Sequence, residues 1–319
     1  MWEVTSSGKR LFSVSPFTYI LHQMPEHTER IQIVARIQII SAMVAFGTIG
    51  VFVRFIPLAS SEIALWRGVI AFLVLSLFMF SSGRLTGLAK FRNKLGKLFF
   101  AGAAMGFNWI LLFEAYRFTS VALSTLSYYF APTIMVIGSF IIFREQLTSK
   151  QIICFIASTA GIVLIIGVSG GGSNDLIGIL FGLGAAVLYA LVILTNKATG
   201  EIDGLTRTWI QFGAAIIVLL PYTFLVGGFH VMELERTGIV SLLILGVVHT
   251  GIMYYLYFSA LAHLKGQQVA ILSYVDPIVA VVLSVALLQE TITMWQLTGG
   301  FMILGATLVN ELKRKPIIP

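Results

Sequence analysis

Ten stretches of this chain are apolar over about the length that a helix needs to cross the hydrocarbon core of a membrane, roughly 20 residues. They run over residues 36–56, 60–81, 97–116, 120–143, 150–168, 174–196, 207–227, 239–260, 266–288 and 293–311. A soluble globule of 319 residues could not hide so many such runs, since only 11% of its residues are charged, against about 25% in soluble domains. A soluble enzyme, a nucleic-acid-binding protein and a secreted disulfide scaffold are thereby excluded. The sequence reads as an all-α membrane protein with ten transmembrane helices. Its one cysteine, Cys154, lies inside an apolar run and reads as a small core residue.

The basic residues orient these spans. Of the 21 Lys and Arg, 17 fall on one side: Lys9, Arg10, Arg30 and Arg36 before the first span, and Arg84, Lys90, Arg92, Lys94 and Lys97 after the second. Arg144, Lys150, Lys197, Arg207 and Lys265 follow the fourth, sixth and eighth spans, and Lys313, Arg314 and Lys315 follow the tenth. The loops 57–61 and 170–175 carry no positive charge. The positive-inside rule then puts both termini in the cytoplasm and accounts for the net charge of +7 without any nucleic-acid partner.

Residues 1–30 stand apart as a tail of no assigned function. Leu11–Leu21 is too short and too polar to span, no signal-peptide cleavage site follows, and Met24 offers an alternative start. The remaining chain divides into 31–168, 169–311 and a basic cytoplasmic tail, 312–319.

This division follows an internal repeat. Shifting the chain by 145 residues lays Leu111 on Leu256, Phe113 on Phe258, Ala115 on Ala260 and Tyr129 on Tyr274. Pro132 falls on Pro277, Val136 on Val281, Ser139 on Ser284, Glu145 on Glu290, Thr148 on Thr293 and Gln151 on Gln296, while Trp109 meets Tyr254. Each unit holds five spans, an odd number, so the second copy enters the membrane inverted. Inverted repeats are an arrangement used for alternating access, with the binding site near the midplane between them.

The stretches Glu114-Ala115-Tyr116, Ala131-Pro132 and Arg144-Glu145, with Ser259-Ala260-Leu261, Asp276-Pro277 and Gln289-Glu290 in the second unit, resemble the EamA family of the drug/metabolite transporter superfamily. The resemblance covers residues 36–311. It implies two inverted five-helix repeats and secondary transport, often efflux, across the bacterial inner (plasma) membrane. Family members move amino acids, other metabolites and toxic compounds.

An ionisable side chain at membrane depth costs about 2.5–3.5 kcal/mol on insertion scales, so each is a functional candidate. Asp276 falls about ten residues into the ninth span, beside Pro277, where the helix is expected to kink. It could hold a cationic group or exchange a proton. His249, equally deep in the eighth span, is a second proton-coupling candidate, and Glu114 a third. Arg67 either docks a substrate carboxylate or forms a structural ion pair with Glu114. Trp109, Tyr129, Tyr254 and Tyr274 are related by the repeat and lie at mid-depth, as walls of a central cavity or as ordinary packing. Asn108 and Tyr189 sit at similar depth. Pro132 and Pro277 read as helix breaks, Glu145 and Glu290 as gate or cap residues, and Gly299, Gly300 and Gly305 as points of close helix packing.

No phosphate loop, HExxH, CxxC or GxSxG pattern occurs, so the chain reads as neither an enzyme nor an ATP-driven pump, and no residue pattern calls for a cofactor or metal. The third, fourth, eighth and ninth spans are expected to line the cavity, and the fifth and tenth to support it from outside. The reading is a secondary transporter of amino acids or related small metabolites, with a small-molecule substrate, the lipid bilayer and protons as partners. A multidrug or organic-cation exporter of the same fold is the alternative. A non-transporting assembly or receptor subunit is the alternative from another class.

Overall fold

The computed structural model describes residues 16–83, 90–167, 173–261, 263–264 and 266–312. Lys9, Arg10, Arg84, Lys265, Lys313, Arg314 and Lys315, which entered the charge argument, lie outside the described residues. The described chain is helical with no strand, and eight helical stretches are long and apolar enough to cross a membrane: 29–54, 60–81, 90–118, 121–143, 149–166, 174–199, 204–226 and 236–261.

The helices are α1 (Pro16–Arg54), α2 (Ser60–Ser81), α3 (Leu95–Phe118), α4 (Val121–Tyr128), α5 (Ala131–Phe143), α6 (Ser149–Gly167) and α7 (Ser173–Thr199). They continue with α8 (Gly204–Val226), α9 (Arg236–Leu243), a π-helical stretch (Ile244–Ile252), α10 (Met253–Leu261), α11 (Gly266–Ser273), α12 (Val275–Ala286) and α13 (Met294–Glu311). Helix α1 begins well before the expected 36 and takes in part of the segment set aside as a tail. Pro16 stands at its first position, where a missing N–H costs nothing.

Two expected spans are each broken in two, at repeat-related places. The fourth breaks at Tyr129 and Phe130, the ninth at Tyr274, and all three residues have ψ near zero rather than a full helical value. The prolines lie just beyond the breaks, in the first turns of α5 and α12, where a helix has no N–H to lose. The break therefore precedes Pro277 instead of kinking the helix at it.

The repeat is also visible in the turns that follow. Arg144 and Gln289 both adopt the left-handed conformation, with φ of 54° and 55°. Four residues later, Thr148 and Gln151 cap α6 reciprocally, the Thr148 N–H donating to Gln151 Oε1 at 2.8 Å and the Gln151 N–H to Thr148 Oγ1 at 3.3 Å. Thr293 and Gln296 do the same for α13, at 2.9 and 3.2 Å. The spacing Thr-x-x-Gln is a capping box, which gives the repeated residues a structural reason.

The repeats interlock. Helix α3 packs on α7 and α8, α1 on α12 and α10, α4 on α7 and α12, and α6 on α13. In the α6–α13 contact a Cβ on Gly299 would stand 2.5 Å from the Gly161 carbonyl oxygen, and one on Gly161 would stand 2.6 Å from the Gly299 carbonyl. Gly300 meets Leu126 in the same way, whereas a Cβ on Gly305 would meet nothing within 4 Å, so Gly305 is not a packing glycine. Gly299→Val should therefore lower the unfolding temperature of the detergent-purified protein by several degrees, and Gly305→Ala should leave it within a degree or so.

Apolar side chains point outward freely: Leu225 is 81% exposed, Phe80 77% and Leu77 71%. Such a surface suits lipid and not water.

Candidate functional site

Among the described residues Arg67 is the one buried arginine, with 3% of its surface exposed. Its Nε donates to Thr250 Oγ1 at 2.7 Å, and its guanidinium carbon lies 4.8 Å from the centre of the Trp109 ring and 5.6 Å from that of Phe113. Trp109 is held edge-on against Phe212, with ring centres 5.2 Å apart. Among the described residues no carboxylate lies within ion-pair distance of Arg67. Glu114 turns instead to Arg117, three residues along the same helix, at 3.1 Å. The expected structural alternative, an Arg67–Glu114 pair, does not form, because Glu114 faces the half-exposed end of α3 where Arg117 can reach it. A cation–π contact and one hydroxyl compensate only part of a buried guanidinium's lost hydration.

Thr250 belongs to the π-helical stretch. Its hydroxyl donates to the Leu245 carbonyl at 2.8 Å, and His249 Nδ1 lies 3.1 Å from the Ile244 carbonyl, both five residues back, as the wider turn requires. The other ring nitrogen of His249 is 2.6 Å from Thr48 Oγ1, and Phe52 meets the imidazole edge-on at 5.0 Å. Both nitrogens of His249 are thus engaged within the core, and His249 does not pair with Asp276.

Asp276 occupies the first turn of α12, where the helix dipole favours a carboxylate. Tyr129, at the α4–α5 break, donates its hydroxyl to Asp276 Oδ2 at 2.8 Å. Around this bond stand Tyr274, its ring centre 6.5 Å from that of Tyr129, and Tyr128, at 6.2 Å from Tyr129 and 5.5 Å from Tyr189. Tyr254 packs on Phe46 at 5.3 Å and on Phe212 at 5.5 Å. Ring contacts link Tyr254 through Phe212 and Trp109 to Arg67, and Phe46 on its other side adjoins Gly47, where a Cβ would stand 2.6 Å from the Asp276 carbonyl oxygen. Arg67 and Asp276 are not bonded to each other, and each has aromatic side chains beside it.

Other expected residues are accounted for locally. Asn108 is buried and donates from Nδ2 to the Ala185 carbonyl at 2.6 Å, tying α3 to α7. Tyr189 is 40% exposed and stands at the edge of the cluster. Glu145 pairs with Lys197 at 2.5 Å and Glu290 with Arg54 at 2.7 Å. Sequence reasoning passed over Tyr128, Thr48 and Thr250, and gave Tyr116 no role. Tyr128 adjoins Tyr129 and could have been found by depth; the two threonines carry no signal until the π turn is known. Phe46 and Thr48 of α1 and Arg67 of α2 also join these contacts, beyond the four spans expected.

Comparison with known proteins agrees with the fold. The profile of the EamA-like transporter family matches residues 34–167 and again 176–311. An uncharacterised transporter of Bacillus subtilis (strain 168), YxxF, is 29% identical over 92% of this chain and 95% of its own. A probable amino-acid metabolite efflux pump of Salmonella typhimurium (strain LT2) is 28% identical over 55% of this chain and 62% of its own. A solved crystal structure shares the fold with a TM-score of 0.59 and 17% identity, over 86% of this chain and 96% of that one.

Proposed function

This chain belongs to the EamA-like transporter family, a multi-pass membrane family, and from that premise we propose that it is a secondary exporter of amino acids or closely related zwitterionic metabolites. One observation carries the substrate class: Arg67 is buried with no carboxylate in ion-pair reach, while a second deep charge, Asp276, is bonded to Tyr129 among tyrosines. A substrate carboxylate would neutralise Arg67, and its ammonium group would meet Asp276 with the tyrosine faces around its carbon skeleton. The Salmonella relative, a probable amino-acid metabolite efflux pump, points the same way.

In this reading the chain crosses the bacterial inner membrane ten times. The spans split at Tyr129 and Tyr274 count as one each, α13 is the last, and both termini are cytoplasmic by the positive-inside rule. Transport proceeds by alternating access around the midplane site. Asp276 exchanges a proton for the substrate ammonium, while Glu114 is held by Arg117 and His249 by Thr48 and the Ile244 carbonyl.

The organic-cation alternative has one observation in its favour, a carboxylate among tyrosines. Arg67 speaks against it, because a cation would approach an unneutralised guanidinium. The test is purified protein in liposomes that enclose a pH-sensitive dye, challenged in turn with amino acids, organic amines and nucleosides. Amino acids should change the internal pH. A response to amines alone would favour the cation exporter, and absence of both a pH change and substrate counterflow with every class would overturn the transporter reading.

A further inference from the structure

The two repeats carry the same acidic residue in different surroundings. Glu290 Oε1 bonds Arg54 Nη2 at 2.7 Å, and Oε2 accepts the Val121 backbone N–H at 2.8 Å together with the Ser284 hydroxyl. Ser284 Oγ in turn accepts the Ala122 N–H at 3.3 Å, and Arg54 also donates to the Thr119 carbonyl at 2.8 Å. One carboxylate from the second repeat therefore locks the C-terminus of α1 to the N-terminus of α4, both in the first repeat.

Stepping back 145 residues turns Glu290 into Glu145, Gln289 into Arg144 and Ser284 into Ser139. The same interval carries Val121, the first residue of α4, onto Gly266, the first residue of α11. The backbone of the latch is copied, down to the left-handed residue before each glutamate. The bonds are not. Among the described residues Glu145 bonds only Lys197, a pair with side chains 51% and 46% exposed, and Ser139 makes no side-chain hydrogen bond. Lys197, like Arg54, is a basic residue in the last turn of the first helix of the other repeat.

We propose that Ser139 and Glu145 form a second latch, on the N-terminus of α11, when the latch at Glu290 opens. This inference rests on the alternating-access reading above. The donors needed are those of any helix N-terminus, and the acceptors are already the right ones at the right interval. An exposed lysine pair binds Glu145 too weakly to lock that face alone; the contact of Lys197, the counterpart of Arg54, is already made, and the bonds to the α11 N-terminus are the ones still to form. On the orientation adopted above, the present form is latched outside and released inside.

The test uses a Cys154→Ala background and two cysteine pairs: Thr119→Cys with Gln289→Cys at the closed latch, and Leu264→Cys with Arg144→Cys at its repeat counterpart. Disulfide yield in liposomes reads the closure of each face. Glu290→Gln should shift the ratio of the two yields about tenfold towards the counterpart pair, as loss of charge-assisted hydrogen bonds predicts. Ser284→Ala should give a smaller shift of the same sign, and repeats the test if Glu290→Gln does not fold. Adding Ser139→Ala or Glu145→Gln to the shifted protein should bring the counterpart yield back down. If that yield rises with Glu290→Gln but ignores Ser139 and Glu145, the second latch is overturned while alternating access stands. If Glu290→Gln moves neither yield, or both in one direction, Glu290 does not hold the outer face closed and the paired latches are overturned, with alternating access left to the counterflow test.

Discussion

Asp276→Asn should cut transport driven by a pH gradient by about a hundredfold, the effect of losing a charge contact worth about 3 kcal/mol in a desolvated site. Asparagine keeps an oxygen for the Tyr129 hydroxyl, which lies 2.8 Å from the carboxylate, so the α4–α5 and α11–α12 breaks should hold their shape. The variant should still elute as a folded protein and should lose its response to internal pH. Full retention of pH-driven transport would remove Asp276 from the coupling role and return the proton to another group.

The second large effect is expected at Arg67. Arg67→Met should raise the KM for a carboxylate-bearing substrate by about a hundredfold, the range for leaving a buried charge unpaired. Arg67→Lys should raise it about tenfold: an ammonium keeps the charge but not the planar face against Trp109 or the geometry of the bond to Thr250. The matching amine, lacking the carboxylate, should be carried by Arg67→Met at least as well as by the parent. Stability supplies an independent check. Removal of a desolvated cation with no acidic partner should not lower the unfolding temperature, whereas a purely structural arginine would show a clear loss.

Much of this was legible from the sequence because lipid imposes simple rules. Apolar length gave a many-helix membrane protein, of which eight described helices are long enough to cross, and the interval of 145 residues gave the repeat. The repeated prolines marked the two breaks to within three residues. Depth alone drew attention to Asp276, Arg67 and Tyr129. Other features depend on backbone hydrogen bonds that no side-chain period records. The π-helical stretch Ile244–Ile252 has an apolar sequence like its neighbours, yet it decides that Thr250 meets Arg67 and that His249 meets Thr48. Glu114 looked like a partner for Arg67 because depth was known and rotation about α3 was not; Arg117 lies one turn along the same face. Asn108 drew notice as a polar residue at depth, and only the packing of α3 on α7 shows that it serves the Ala185 carbonyl.

The pairing of Tyr129 with Asp276 also fixes an arithmetic of exchange. Tyr129 corresponds to Tyr274 under the repeat, but Asp276 corresponds to Ala131, which is buried and carries nothing to titrate. Geometry is doubled here while acidity is single. If the halves swap shapes as proposed, the tyrosines trade places and the carboxylate has no twin to take over its bond. In the proposed proton-coupled cycle this site would offer one titrating carboxylate per turnover, because an alanine stands where symmetry would have put a second acid.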